Sequence, residues 1–234
     1  MADSARDVAV VTGGSRGLGL ALTRALVAAG WSVVVDARAG DNLAAATSNL
    51  AGPGQVLPIP GDVADPEHRH RLVEAAAGLG AVRLLVNNAS YLGPSPQPVL
   101  RDYPLDILRR VYEVNTVAPL ALLQVLLPVM AEVGGVVINI TSDAGIEGYE
   151  GWGGYGSSKA ALEQLSRVLA AEHPHLRIYW VDPGDMNTQM QQEAFPGEDV
   201  SDRPPPEDSV PGLLKLVNGE LPSGRYQARS VGSQ

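Results

Sequence analysis

Tyr155 and Lys159 stand four residues apart in Tyr155-Gly156-Ser157-Ser158-Lys159, and Ser142 lies thirteen residues before the tyrosine. Positions i and i+4 share one face of a helix, so the ammonium of Lys159 would stand beside the phenol of Tyr155. A free tyrosine titrates near 10, too high for useful proton transfer at neutral pH. A neighbouring cation favours the phenolate and lowers that value, which makes the pair a usable acid/base. Alone, the same spacing is more often a solvated pair on a helix face. The rest of the chain decides between the two.

Short apolar runs alternate with helical stretches. Residues 8–12, 31–35, 55–59, 82–86, 136–141 and 176–181 read as strands, with a last one near 225–228. Helices fill the gaps at 18–29, 41–51, 66–78, 105–133 and from the Tyr155 segment to Glu172, with a short one near 209–217. Gly30 stops the first helix, and Asp65 caps the third with Pro66 in its first turn. Pro119 and Pro128 predict a kink or break in the long helix. Strand–helix alternation implies right-handed crossovers and a parallel sheet, and strands apolar throughout imply that both faces are covered. The expected fold class is α/β: a doubly wound, mostly parallel Rossmann-type sheet of about seven strands with helices on both faces. Residues 184–208 break the rhythm, being rich in Asp, Glu, Gln and Pro. A long irregular segment after a strand end is expected to be a substrate lid, the alternative being a plain surface loop.

Composition narrows the function classes. The chain has 234 residues, 45% hydrophobic, enough for a substantial core, and no cysteine, so disulfides and thiolate metal sites are excluded. A net charge of −9 argues against a nucleic-acid partner. No apolar run is expected to reach membrane-spanning length, and the polar start lacks a signal-peptide core. The expectation is a cytoplasmic protein with no membrane partner. His68-Arg69-His70 and His173-Pro174-His175 read as surface histidines, and no metal site is expected.

The first strand runs into Thr12-Gly13-Gly14-Ser15-Arg16-Gly17-Leu18-Gly19 and then a helix. Glycines allow a tight turn and close backbone approach to a pyrophosphate, and the helix N-terminus offers free N–H groups to the anion. The spacing Gly-x-x-x-Gly-x-Gly differs from the commoner Gly-x-Gly-x-x-Gly fingerprint.

Together with Ser142, Tyr155 and Lys159, this glycine pattern resembles the common single-domain branch of the short-chain dehydrogenase/reductase family. The resemblance covers nearly the whole chain and implies one Rossmann domain, 1–234, using NAD or NADP. By that resemblance Gly13, Ser15, Arg16, Gly17, Leu18 and Gly19 form the cofactor motif. Asp62 and Val63 contact adenine, Asn88 and Ala89 belong to an Asn-Asn-Ala-Gly motif, and Pro183, Gly184 and Thr188 lie by the nicotinamide. Asn115, Ser142, Tyr155 and Lys159 match the catalytic tetrad. Tyr155 would be the general acid for ketone reduction or the base for alcohol oxidation. Lys159 would lower its pKa and bind the ribose, Ser142 would hold the carbonyl oxygen, and Asn115 would help position a water. Ser90 replaces the usual glycine, which predicts strain or a shifted turn if φ is positive there.

The second strand ends in Asp36-Ala37-Arg38. An acid there binds a ribose 2′-hydroxyl, and an arginine accepts a 2′-phosphate. Asp36 falls one position before the acid of NAD-using relatives, whereas Arg38 and Arg16 match marks of NADP users. NADP(H) is therefore expected over NAD(H), unless Asp36 and Arg38 are both merely solvated loop charges. The substrate is expected to be a small-molecule carbonyl or alcohol, mostly apolar or ring-bearing, met by Ser142, Tyr149, Trp152, Tyr155, Met186 and Met190. Pairing through the long helices into a homodimer or homotetramer is expected, although the short stretch after the last strand argues against a tail-mediated tetramer. The alternatives are a non-catalytic dinucleotide-binding regulator and an epimerase or dehydratase on the same scaffold.

Overall fold

Valine-dense runs form the inner strands because β-branched side chains pack well on a pleated surface covered on both sides. The computed structural model describes residues 7–232, so the polar opening stretch 1–6 lies outside the described residues. The elements are β1 (Asp7–Val11), α1 (Gly17–Ala28), β2 (Ser32–Ala37), α2 (Gly40–Thr47), β3 (Gln55–Pro60), α3 (Pro66–Ala77) and β4 (Ala81–Asn87). Then come α4 (Leu105–Tyr112), α5 (Ala118–Glu132), β5 (Val136–Ile140), α6 (Gly153–Glu172), β6 (Arg177–Asp182), α7 (Gln189–Ala194), α8 (Val210–Asn218) and β7 (Gly224–Gln227). The strands form one seven-stranded sheet in the order β3-β2-β1-β4-β5-β6-β7. Every neighbouring pair is parallel.

Alternate side chains of each strand enter opposite cores. Val11, Val33 and Val35 pack with Leu22 and Leu26 of α1 and Leu213 and Leu216 of α8. Val8, Val10 and Val34 pack on the other face with Leu72 of α3 and Leu122, Leu123 and Leu126 of α5. Strand order reverses between β1 and β4, which opens a crevice at their carboxyl ends.

The long helix is interrupted by a π-helical turn at Glu113–Val117, immediately before Pro119, rather than at Pro128 inside α5. Pro119 has no N–H to close the ordinary α-helical bond to the Asn115 carbonyl. The combined helix Leu105–Glu132 is also long and apolar enough to cross a membrane, one 18-residue window of it having a mean hydropathy of 1.8, contrary to the expectation that no apolar run reaches that length. Half of that window is buried inside the fold. The second helix ends at Thr47 instead of near residue 51, and the proposed lid contains the short helix α7.

Candidate active site

Thr12, just past β1, ties the crevice together. Its hydroxyl donates to the Val86 carbonyl (3.3 Å) and accepts from the N–H groups of Asn88 and Ala89, both at 3.0 Å. The Asn88 amide donates to the carbonyls of Thr12 (2.8 Å) and Gly13 (3.1 Å). The loops after β1 and β4 are thus one hydrogen-bonded unit. Gly13 (φ 72°) and Gly17 (φ 55°) occupy the left-handed region, which only glycine enters freely. Gly19 serves packing instead: a Cβ there would stand 2.4 Å from the Gly13 carbonyl oxygen. No side chain caps the start of α1, so its first N–H groups are left for an anion. Gly13, Ser15, Arg16, Gly17 and Leu18 line one end of a cleft of about 880 Å³.

At the tip of β2, Asp36 turns inward. Its carboxylate accepts from the Gly13 N–H (2.7 Å) and meets His68 Nε2 (3.0 Å), and only 2% of Asp36 is exposed. Burial raises its pKa, against the opposing pull of those two bonds. His68 is fully buried at 0% exposure, which corrects its assignment to the surface. Asp36 is therefore no solvated loop charge, and it holds the glycine loop from behind. Arg38 is exposed and lines the cleft. Asp62 pairs with Arg110 and accepts from the Ala64 N–H at 2.9 Å. Burial works to raise the Asp62 pKa, but these bonds and the guanidiniums of Arg110 and Arg38 outweigh it and hold the carboxyl low. Arg16 donates to Gln189, joining the glycine loop to α7.

Deeper in the cleft stand Tyr155 and Lys159, both buried. The Lys159 ammonium lies 5.4 Å from the Tyr155 ring centroid and donates to the Ile140 carbonyl at 2.8 Å. Burial pushes Lys159 down to about 7 and pushes the Tyr155 phenol well above 10. This reverses the expected lowering of Tyr155: desolvation dominates, and the negative charges of Asp182 and Asp143 add to it. The nearby Ser90 side chain works the other way, against that rise. No described residue other than glycine has positive φ, so Ser90 carries no such strain.

The Asn115 side chain is wholly committed within the protein. Its oxygen accepts from the Tyr91 N–H (2.8 Å) and the Ser90 hydroxyl (3.2 Å), and its amide donates to the Tyr91 carbonyl and the Ser158 hydroxyl, both at 3.0 Å. It clamps the loop after β4 to α6. The Ser142 hydroxyl donates to the Asp143 carboxylate at 2.8 Å.

The short chain dehydrogenase family profile matches residues 7–199. The chain belongs to the short-chain dehydrogenase family. It is 40% identical over 177 residues to the "Short chain dehydrogenase asqE" of Emericella nidulans, spanning 72% of this chain and 65% of that protein. It is 37% identical over 229 residues to a rhamnolipids biosynthesis 3-oxoacyl-[acyl-carrier-protein] reductase of Pseudomonas aeruginosa, spanning 94% and 83%. Among solved structures it is similar to the KRED1-Pglu enzyme (TM-score 0.84, 33% identity, 94% of this chain and 99% of that one). It is also similar to an alcohol dehydrogenase of Thermococcus sibiricus complexed with 5-hydroxy-NADP (TM-score 0.85, 26% identity, 95% of each). The fold and the enzyme class, a nicotinamide-dependent oxidoreductase, follow from the membership.

Within this dehydrogenase most sequence-picked residues share the one cleft. Val63, Asn88 and Ala89 line it, as do Pro183, Met186, Thr188 and Met190 from the segment after β6. Gly19, Asn115, Ser142, Gly184, Tyr149 and Trp152 do not line it. Trp152 nevertheless lies 5.8 Å from the Tyr155 ring and 5.7 Å from Phe195, just past α7, so it bridges α6 and the segment that follows α7. Tyr149 donates to Asp143 at 3.1 Å. The Thr188 hydroxyl is spent on the Gln191 N–H at the start of α7. Sequence reading missed Arg110, which lines the cleft, and Glu163, a buried carboxylate one turn beyond Lys159. Its place four residues after Lys159, on the same helix face, was the available signal.

Proposed function

We propose that this dehydrogenase interconverts a carbonyl and an alcohol with NADP(H), and that Tyr155 moves the proton. The observation that carries the reading is a buried phenol and amine walling the same cleft that the glycine loop and the open start of α1 enter. The chain fits a dinucleotide there: a Cβ at Gly13 would stand 2.8 Å from the Ala89 Cα, so the cradle needs the bare backbone. When bound, the nicotinamide supplies or accepts the hydride, the hard part of the chemistry.

The chain's own groups handle the proton. With its pKa raised, the Tyr155 phenol is fully protonated at neutral pH, as a proton donor in carbonyl reduction must be. Ser142 brings a second hydroxyl, free to turn from Asp143 to a substrate oxygen. Asn115 acts by clamping the loop after β4 to α6, and by its resemblance to the family's tetrad asparagine it helps position a water. The expectation of NADP over NAD rests on Asp36 being occupied inside the protein while Arg38 borders the cleft, where a guanidinium would meet a 2′-phosphate. The Thermococcus relative's complex with an NADP derivative supports it.

The ring contacts of Trp152 with Tyr155 and with Phe195 support a neutral, apolar or ring-bearing substrate beside Tyr155, with residues 184–208 as the lid. Exposed Leu105, Val117, Val125 and Val129 on the α4–α5 helix and Val168 on α6 support subunit pairing through the long helices. A single-domain, cytoplasmic enzyme completes the proposal. The test is NADPH absorbance against a panel of aldehydes, ketones and quinones. Turnover of at least one is expected, whereas NADPH binding without turnover across the panel would favour a regulator.

A further inference from the structure

Arg225 sits on β7, an edge strand, far in sequence from the site, and its side chain is 21% exposed. It reaches across β6 to the end of β5. Its Nε donates to Glu163 Oε1 at 3.0 Å. Its Nη2 donates to the Ser142 carbonyl at 3.3 Å and to Asp182 Oδ2 at 3.5 Å. Glu163, with a side chain 1% exposed, accepts in turn from the Thr141 hydroxyl (3.0 Å) and from Arg167 (2.9 Å). Two successive residues, Thr141 and Ser142, are thereby tied to one ionic network, the first through Glu163 and the second directly.

We propose that Arg225 is a positioning residue for the reaction: it pins the main chain at Ser142 and neutralises the buried carboxylates Glu163 and Asp182 behind the reacting hydroxyls. The inference rests on the carbonyl/alcohol reading above. A buried carboxylate left without its cation is strongly unfavourable, so this network resists rearrangement. Its second effect is electrostatic. The charged groups facing the Tyr155 phenol are Lys159 on its own helix, Asp143 from the turn after β5 and Asp182 from the end of β6. The two aspartates disfavour the phenolate, and Arg225 is the only cation paired with Asp182 among the described residues. Removing it leaves Asp182 free to hold the phenol protonated more tightly.

The test compares Arg225→Gln, Arg225→Lys, Asp182→Asn and the double variant Arg225→Gln/Asp182→Asn, using NADPH and the best substrate of the wild-type panel. R225Q is expected to lower kcat about tenfold or more, the scale of one lost charge-assisted hydrogen bond. NADPH affinity should stay within about twofold, because the glycine end is untouched. R225K should recover most of the loss. The limb along which alcohol oxidation rises with pH, set by ionisation of Tyr155, should move up in R225Q and return in the double variant. Wild-type kcat and profile in R225Q would overturn the proposal, as would R225K performing no better than R225Q, or a double variant that keeps the shifted limb. If R225Q fails to fold, D182N decides alone: its limb should move down, and an unmoved limb counts against the idea. If the wild type reduces no carbonyl, the functional reading fails, and hydrogen exchange then judges the pinning. Residues 141–145 should exchange faster in R225Q than in wild type or R225K, and identical exchange in all three would refute it.

Discussion

Replacing Lys159 by methionine removes a buried amine and keeps most of its volume. In the folded protein burial lowers this lysine from 10.5 to about 7. The unfolded chain therefore holds the proton up to about pH 10, while the folded protein releases it near 7. Between those values the unfolded state binds more protons, so stability rises with pH. Below about 7 both states are charged, and the burial penalty is present in full. Each pH unit is worth about 1.4 kcal/mol per proton, so from pH 7.5 to 9.5 the wild type should gain roughly 2.5 kcal/mol over Lys159→Met. Tyr155, with its pKa raised above 10, releases no proton in that window and cancels from the difference. Urea unfolding of both proteins at half-unit pH steps measures the gap directly. Parallel stability curves, within about half a kcal/mol, would refute the burial argument for Lys159.

Arg38→Ser should weaken NADPH binding about ten- to a hundredfold and leave NADH binding unchanged, as expected for loss of a charge-assisted contact to a 2′-phosphate. Equal losses for both dinucleotides, read by fluorescence titration, would contradict that role. Gly19→Ala places a Cβ 2.4 Å from the Gly13 carbonyl, so it should cost about 1–3 kcal/mol of stability and abolish dinucleotide binding. Gly148→Ala, whose Cβ would meet nothing within 4 Å, is the matched control and should change neither in thermal melts or titrations.

Much of this was legible in residue order because it is local. The Gly-rich turn, the i,i+4 spacing of Tyr155 and Lys159 and the valine-dense strands are short-range patterns that steric rules decide. The same rules placed Asp65 as a cap, where its carboxylate accepts from the Glu67 N–H. What escaped was set by tertiary contact. Asp36 reads like a ribose binder until His68, from α3, is seen to meet it in the interior. Proline predicts that a helix is disturbed, yet the disturbance took the form of a π turn that places Asn115 between the β4 loop and α6. The pairing of Lys159 with Tyr155 was legible, but its electrostatic sense was not, because desolvation depends on how deeply the pair is buried. Arg225 stands 83 residues from Ser142, and no spacing rule connects them.

The most direct measurement is turnover and NADPH affinity of Tyr155→Phe beside wild type on the same carbonyl substrate. Loss of the phenolic proton donor should cut kcat by about a thousandfold while NADPH affinity stays within about twofold. A variant that turns over within tenfold of wild type would contradict Tyr155 as the acid.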